Sequence, residues 1–400
     1  MITVEEADNI IAGNLNLFPV EKCHITKAHG KILREDLLAD RDAPPFHRVA
    51  MDGIAIKESS WEKGHRNFFI QETQRAGEQA LILKDDNYCI EVMTGAVLPE
   101  GCDCVIKVED LTVKDNIAII NDGLKLEKMN NIHLMASDHK QGDILVNRGT
   151  KLLSTHIAVA ASVGKVEITV AKSPGIAIIS TGDELVDVDQ DVKPFQIRMS
   201  NSYAIQAALK QADFERVSIF HIPDDQKILA DKLTDILESF EVLILSGGVS
   251  MGKFDYIPAV LSDLGVQKKF HKISQKPGKP FWFGVSSKNK PVFALPGNPV
   301  STLVCFQKYI LPNLEKAMGI INIENGFAML SEEIKFSKPL TNFLPVKINN
   351  EQGKIIASPI RNNGSGDYAS LVNSDGFIEL HKDKDIFPEG SIIPLYKWKG

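Results

Sequence analysis

The run Val242-Leu-Ile-Leu is apolar throughout and breaks abruptly into Ser246-Gly-Gly-Val-Ser-Met-Gly. A short, unbroken apolar segment of this kind suits a strand buried on both faces, as in a parallel sheet. The loop after it carries three glycines and two serines. It leaves backbone N–H groups and hydroxyls uncovered, and glycine tolerates the conformations such a turn needs. Asp255 follows, ahead of a helical pattern on Ile257, Val260, Leu261 and Leu264. Strand, glycine-rich loop and helix in that order form the usual place for an anionic ligand in an α/β sheet. A carboxylate beside an anion calls for a metal ion between them. A tight turn with a helix cap explains the same residues, and the stretch alone does not choose.

The flanking chain repeats the pattern. Ile176 to Ser180 reads as a strand ending in Thr181-Gly-Asp-Glu-Leu, and Asn201 or Ser202 caps a helix with Ala204, Ile205, Ala208 and Leu209 inward. Val217 to His221 is a strand ending at Asp224-Asp225, followed by a helix face on Ile228, Leu229, Leu233, Ile236 and Leu237. Phe281 to Val285 and Val292 to Leu295 add strands, the second ending in Pro296-Gly-Asn-Pro-Val-Ser. Alternation of this kind over about 150 residues predicts an open, mostly parallel α/β domain. All four polar loops follow the carboxyl ends of strands, which parallel strands place on one edge. Lys276-Pro-Gly-Lys279-Pro-Phe adds two ammonium groups near that edge. Mixed acid and base suits Mg²⁺ with phosphate or another oxyanion.

Outside this region the periodicity differs. Thr3 and Glu6 form a capping box ahead of a helix on Ala7, Ile10, Ile11 and Leu15. His24-Ile25 reads as a short strand, and Ile32 to Leu38 as helix or loop. Ala43-Pro-Pro-Phe is extended, and Asp52-Gly53 is a turn before the strand Ile54-Ala-Ile. Phe68–Gln71, Cys89–Met93, Cys104–Val108 and Ile117–Ile120 are further strand candidates in a small β domain, with Thr94 in a Thr-Gly turn and Asp138 in a polar loop. Ser154 starts a helix through Ala161, ended by Gly164, and Val166–Val170 is a strand. After Lys316, Phe327–Phe336, Phe343–Ile348, Ile355–Pro359, Gly376–His381 and Ser391–Lys397 read as strands of a small all-β domain. Arg361-Asn-Asn-Gly-Ser-Gly-Asp is a loop able to touch an anion or to serve as an ordinary surface turn.

A length of 400 residues exceeds one ordinary core, and a net charge of −7 argues against a general nucleic-acid binder. Five scattered cysteines, with Cys102 and Cys104 too close for a C-x-x-C site, suggest buried free thiols in a reducing compartment. The N-terminal residues carry no signal-peptide pattern, and no apolar run reaches membrane-spanning length. The expectation is a cytoplasmic protein without nucleic-acid or membrane partners.

Taken together and in order, Pro44-Pro-Phe…Ala50-Met-Asp-Gly, Met93-Thr-Gly-Ala, Ser180-Thr-Gly-Asp-Glu-Leu, Ser246-Gly-Gly-Val-Ser-Met-Gly-Lys-Phe-Asp-Tyr, Lys276-Pro-Gly-Lys-Pro-Phe and Leu295-Pro-Gly-Asn-Pro-Val-Ser resemble the molybdopterin molybdotransferase family, MoeA-type and related to the gephyrin C-terminal domain. The resemblance runs nearly end to end. It implies insertion of molybdenum from molybdate into adenylylated molybdopterin, release of AMP, and dependence on a divalent cation such as Mg²⁺. It implies a multidomain α/β plus β protein: a discontinuous N-terminal helical and linker domain (1–43 and 145–172), an inserted β-rich domain (44–144), an α/β molybdopterin-binding domain (173–322) and a C-terminal β-barrel-like domain (323–400).

The same resemblance implies catalytic roles for Asp52, Thr94, Asp138, Glu184, Asp224 and Asp255, with Glu184, Asp224 and Asp255 on the metal. Ser246, Gly247, Gly248, Ser250, Lys276, Lys279, Pro296, Asn298, Pro299 and Ser301 would bind substrate. The implied assembly is a homodimer with a shared active site, and molybdopterin adenylyltransferase and molybdoenzyme maturation proteins are the expected protein partners. Where the family has an acidic or small-residue run, this chain has His47-Arg48-Val49, and His133 stands where arginine is typical. The histidine removes a permanent charge from that loop. An adenylyltransferase-like enzyme and a gephyrin-like scaffold are the competing readings.

Overall fold

Alternate residues of the same strands serve two different cores, and this is why the central strands are apolar at consecutive positions up to their carboxyl ends. The computed structural model describes residues 1–249, 256–321, 326–360 and 364–398. The chain forms two units, one of Met1–Glu35, Arg148–Leu153 and Glu167–Gly400, the other of Asp36–Asn147 and Ser154–Val166.

In the first unit, β1 (Ile176–Thr181), α1 (Asn201–Gln211), β2 (Val217–Ile222), α2 (Gln226–Ser239), β3 (Val242–Ser246), α3 (Ile257–Asp263), β4 (Gln267–His271), β5 (Trp282–Val285), β6 (Pro291–Leu295) and α4 (Pro299–Cys305) follow in order. The six strands form one sheet in the order β2-β1-β3-β6-β5-β4. The first four are mutually parallel; β5 runs antiparallel to β6, and β4, antiparallel to β5, forms the edge. Ile176, Ile178, Val242, Ile244 and Phe293 pack with Ile205 and Leu209 of α1 and Val300 and Val304 of α4. Ala177, Ile179, Leu243, Leu245 and Ala294 pack with Leu229 and Leu233 of α2 and Val260 of α3. Each fully buried large aliphatic side chain contributes roughly 1.5–3 kcal/mol. The ladders place Ser180 beside Ser246, Ser246 beside Leu295 and Thr181 beside Ile222. The carboxyl ends of four strands are therefore level, as the alternating pattern predicts. The helix α1 begins at Asn201 with Ser200 as its cap, one residue before the first of the two caps the sequence offers, Asn201 and Ser202.

After α4 the helix continues through a π turn, Phe306–Ile310, into Leu311–Met318, and ends at Gly319 in the left-handed conformation (φ 101°). A closed barrel follows, made of β7 (Gly326–Leu330), β8 (Thr341–Glu351), β9 (Lys354–Pro359), β10 (Gly376–Leu380) and β11 (Ile392–Lys397). Pairing runs β8-β9-β7-β11-β10, and β10 returns to β8. The long strand β8 makes closure possible by changing partner at Val346, which faces Pro359 on one side and Gly376 on the other. A Cβ at Gly376 would stand 2.1 Å from the Tyr396 carbonyl oxygen, so the close approach of β10 and β11 requires glycine. The expected strand Phe327–Phe336 is two: exposed Glu332 and Glu333 turn the chain outward, and Ile334–Lys335 pairs with Ile386–Phe387.

The N-terminal helix Val4–Ala12 carries the predicted capping box. It is tied to the barrel through Lys308 of the π turn, whose Nζ lies 3.0 Å from Asp8, 3.4 Å from Glu379 and 2.8 Å from the Tyr396 hydroxyl. The predicted strand at His24-Ile25 is Val20–His24, paired with Glu167–Ala171. Ile32 to Leu38 is not helical: Ile32 bridges Lys151, and Leu33 bridges Val170.

The second unit is built on a six-stranded sheet in the order Cys104–Lys107, Gly53–Ile56, Tyr88–Val92, Asn67–Gln74, Ile117–Ile120, Leu111–Lys114. Ile54, Ile56, Phe68 and Cys104 line one face, and Val49, Ala55, Ile90 and Val105 the other. Among the described residues, no helix is long and apolar enough to cross a membrane.

Candidate active site

Where the four parallel strands end, their loops enclose a cavity of about 590 Å³. Ser246, Gly247 and Gly248 line it from β3, Thr181, Gly182 and Glu184 from β1, Asp224 from β2, and Pro296, Asn298 and Pro299 from β6. The geometry explains the glycines. Gly247 (φ 103°) and Gly248 (φ 64°) both occupy the left-handed region. A Cβ at Gly247 would meet the Thr181 carbonyl oxygen at 2.8 Å, and one at Gly248 would meet Ile257 Cδ1 at 2.6 Å. Only glycine lets this loop close on β1 while leaving its backbone facing the cavity.

The two adjacent aspartates after β2 divide their work. Asp225 caps α2 by accepting a hydrogen bond from the Ile228 N–H at 2.9 Å. Asp224 lines the cavity, and its N–H donates to Asp183 Oδ1 at 3.1 Å. His221 lies 3.1 Å through Nε2 from the Gly182 carbonyl, which joins the loops after β1 and β2.

Several expected residues are placed elsewhere. Lys276 and Lys279 are exposed and are not among the cavity-lining residues; Pro280, from the same segment, is. Lys276 instead lies on the short strand Gln275–Lys276 paired with the start of β8. Ser301 is buried within α4, also away from the lining. Ser250 and Asp255 lie outside the described residues.

The cation on the cavity wall is Arg198, which the sequence reading did not single out. Its Nη2 donates to the Gln190 carbonyl at 3.1 Å, and its strand Ile197–Arg198 pairs with Leu185–Val186. Arg198 is the one lysine, arginine or histidine among the described residues lining the cavity. Its sequence signal was position alone, three residues before a helix that starts at this edge. Asn201, read only as a helix cap, and the buried Thr181, read only as the start of its polar loop, were not assigned to the site; among the described residues, the Thr181 hydroxyl has no hydrogen-bond partner. The described half of the Arg361–Asp367 loop comes here too. Asn298 Nδ2 donates to Ser365 Oγ at 2.9 Å, and Gly366 lines the cavity.

In the second unit the segment Pro44–Gly53 is stitched to two others. Gly95 N donates to the Val49 carbonyl at 2.9 Å, and Ala50 N donates to the Asn131 carbonyl at 2.9 Å. This brings Asp52 and Thr94 into direct contact. Asp52 Oδ1 accepts from the Thr94 N–H at 2.6 Å and from its hydroxyl at 2.7 Å. These two bonds, the hydroxyl first, hold the exposed Asp52 carboxyl below the usual aspartate range. Asp138 is exposed on the neighbouring loop, 3.6 Å from His133 Nε2. His133 pairs in register with Arg48, whose Nη2 lies 2.9 Å from His133 Nδ1. The permanent charge that a histidine lacks at this position stands opposite it on Arg48.

Glu184 and Asp224 give the cavity two carboxylates, and with its hydroxyls and backbone carbonyls the donor set is oxygen-rich, as a hard divalent cation requires. Among the described residues, no group of three or more histidine, cysteine, aspartate or glutamate side chains is placed to hold a metal ion. The third expected carboxylate, Asp255, is outside them.

Known proteins match this arrangement from end to end. The profile of the MoeA N-terminal region (domain I and II) matches residues 2–164, that of a probable molybdopterin binding domain residues 177–316, and that of the MoeA C-terminal region (domain IV) residues 328–398. A molybdopterin molybdenumtransferase of Synechocystis sp. is 39% identical over 400 residues, covering 100% of both chains. Another, of Haemophilus influenzae, is 28% identical and covers 99% of this chain and 98% of its own. The crystal structure of the molybdopterin biosynthesis MoeA protein from Pyrococcus horikosii superposes with a TM-score of 0.86 at 29% identity, covering 100% of both chains. With a 39% identical relative aligned along its whole length, the chain belongs to the molybdopterin molybdenumtransferase (MoeA) family.

Proposed function

We propose that this protein inserts molybdenum from molybdate into adenylylated molybdopterin and releases AMP, and that the cavity at the strand ends is where the phosphoanhydride lies. The observation that carries this reading is the convergence of four strand-end loops on one cavity with hydroxyls, glycine backbone, one guanidinium and two carboxylates. Full-length relatives named for the transferase favour it over an adenylyltransferase or a scaffold.

The substrates are anions, and confining them together is costly unless positive charge intervenes. Ser246, Gly247, Gly248 and Ser250 are assigned to the phosphoryl oxygens as neutral donors. Arg198 is assigned to the same anion through a paired contact that lysine cannot copy. Pro296, Asn298 and Pro299 form the wall, with Ser301 packed behind it, and exposed Lys276 and Lys279 act at longer range. Glu184, Asp224 and Asp255 would hold Mg²⁺, which when bound offsets phosphate charge and polarises the anhydride. Asp52, Thr94 and Asp138, beside Arg48 and His133, are assigned to molybdate and the sulfur end of the pterin substrate.

We further infer a cytoplasmic homodimer in which these second-unit residues of one copy serve the cavity of the other. The assigned subunit has four domains divided as expected from the sequence, and contacts with adenylyltransferase and maturation proteins belong to the same proposal. Molybdate-dependent AMP release from adenylylated molybdopterin tests the activity: wild-type protein that releases none refutes it. Mixing inactive Asp52→Ala with inactive Asp255→Ala subunits tests sharing, because exchange should restore activity, and mixtures that stay inactive after demonstrated subunit exchange overturn it.

A further inference from the structure

The amide of Asn201 holds together loops that the sequence supplies from three separate places. Its Nδ2 lies 2.9 Å from Ser246 Oγ at the end of β3, 2.8 Å from the Gly297 carbonyl after β6 and 3.2 Å from Thr302 Oγ1 in α4. Two N–H groups thus serve three acceptors. The Gly297 carbonyl cannot donate, so the nitrogen must face it, which sets the orientation of the amide. Thr302 extends the network, since its hydroxyl lies 2.5 Å from the Pro296 carbonyl and 3.1 Å from that of Asn298. The next residue, Ser202, contacts Ser180 hydroxyl to hydroxyl at the end of β1. The start of α1 is therefore fastened to the ends of β1, β3 and β6.

Two features separate this from ordinary core packing. Asn201, Ser246 and Gly297 are themselves cavity-lining residues, and the Thr302 network runs into the Pro296–Asn298 wall. Among the described residues, the buried Asn201 Oδ1 atom has no hydrogen-bond partner. A side chain kept for stability alone would not leave a buried acceptor unpaired, since that has a free-energy cost.

We infer that Asn201 is a positioning residue for the anionic substrate. It sets the spacing between the Ser246–Gly248 backbone and the Pro296–Asn298 wall, so that donors on both sides meet one phosphoryl group without rearrangement. This rests on the activity proposed above for the same cavity.

The test uses the full chain and three variants. Asn201→Asp keeps the volume but sets an acceptor against the Gly297 carbonyl, Asn201→Ala removes the amide, and Thr302→Val removes one partner outside the cavity lining. In the unliganded protein, amide exchange should quicken in 246–249 and at 297–298 and stay unchanged in the barrel. With adenylylated molybdopterin, both Asn201 variants should raise KM about tenfold, the worth of one or two net hydrogen bonds. The fall in kcat should be smaller. Thr302→Val should give a smaller effect that is not additive with Asn201→Ala. Unchanged exchange in the two loops overturns the inference, as does faster exchange with wild-type KM. Wild-type protein that releases no AMP refutes the activity instead, and the exchange measurement still decides whether Asn201 fastens the loops.

Discussion

Replacing Lys308 by methionine should loosen the barrel from the N-terminal helix and the π turn. The Lys308 side chain is 10% exposed and that of Glu379 14%, whereas Asp8 is 35% exposed. Burial opposes the ammonium charge, but Asp8, Glu379 and the Tyr396 hydroxyl outweigh it and hold Lys308 above the usual lysine range. In Lys308→Met the hydrocarbon stem still packs. Among the described residues, Glu379 then keeps only the Tyr396 hydroxyl, 2.7 Å away, in a site water cannot reach freely. Removing one member of a buried pair costs about 3–5 kcal/mol, because the other charge is left uncompensated. Asp8 can rehydrate, so the lower end, about 3 kcal/mol, is expected. Adding Glu379→Gln should recover all but about 1 kcal/mol, since replacing both charges by neutral groups of similar size is nearly neutral.

Native-state amide exchange in β10 and β11 reads this locally, without treating a multidomain chain as two-state. The sign with pH follows from the raised lysine value. The stabilisation is complete below the unfolded lysine value of about 10.4 and is lost as pH rises through the folded one. Lys308→Met should abolish that alkaline loss. A change below about 1 kcal/mol in β10, or no recovery in the double variant, refutes the reasoning.

Thr94→Val removes the hydroxyl that holds the Asp52 carboxyl low, so the Asp52 titration followed by carboxyl NMR should move up toward about 3.9. The stabilisation from this contact is present above the unfolded value and lost as pH falls through the folded one, and an unmoved titration contradicts the assignment. All five cysteines are buried, and burial pushes the Cys89, Cys102 and Cys104 thiols up to about 12. A thiol reagent at pH 8 should therefore label the native protein slowly and all five positions after unfolding. Rapid labelling of the native state refutes this.

Local pattern carried much of the architecture. Ile176 to Ile179 and Val242 to Leu245 are apolar at consecutive positions because each strand serves two cores, and that need is written into neighbouring residues. Their abrupt change to glycine, serine and threonine marks the strand ends for the same reason. The level edge could be inferred because parallel strands leave little freedom in where their carboxyl ends fall.

Other features depend on distant partners and have no local signature. Arg198 became the cation on the cavity wall, in place of Lys276 and Lys279, because the strand Ile197–Arg198 folds back against Leu185–Val186. Asn201 reads as a helix-start residue, and only the approach of Ser246, Gly297 and Thr302 makes it a junction. Gly376 and Lys308 are likewise explained by residues far away in the chain, the Tyr396 backbone in one case and Asp8 with Glu379 in the other. Periodicity records which side of its own element a residue faces. Which element comes to face it is decided by packing and closure of the whole chain.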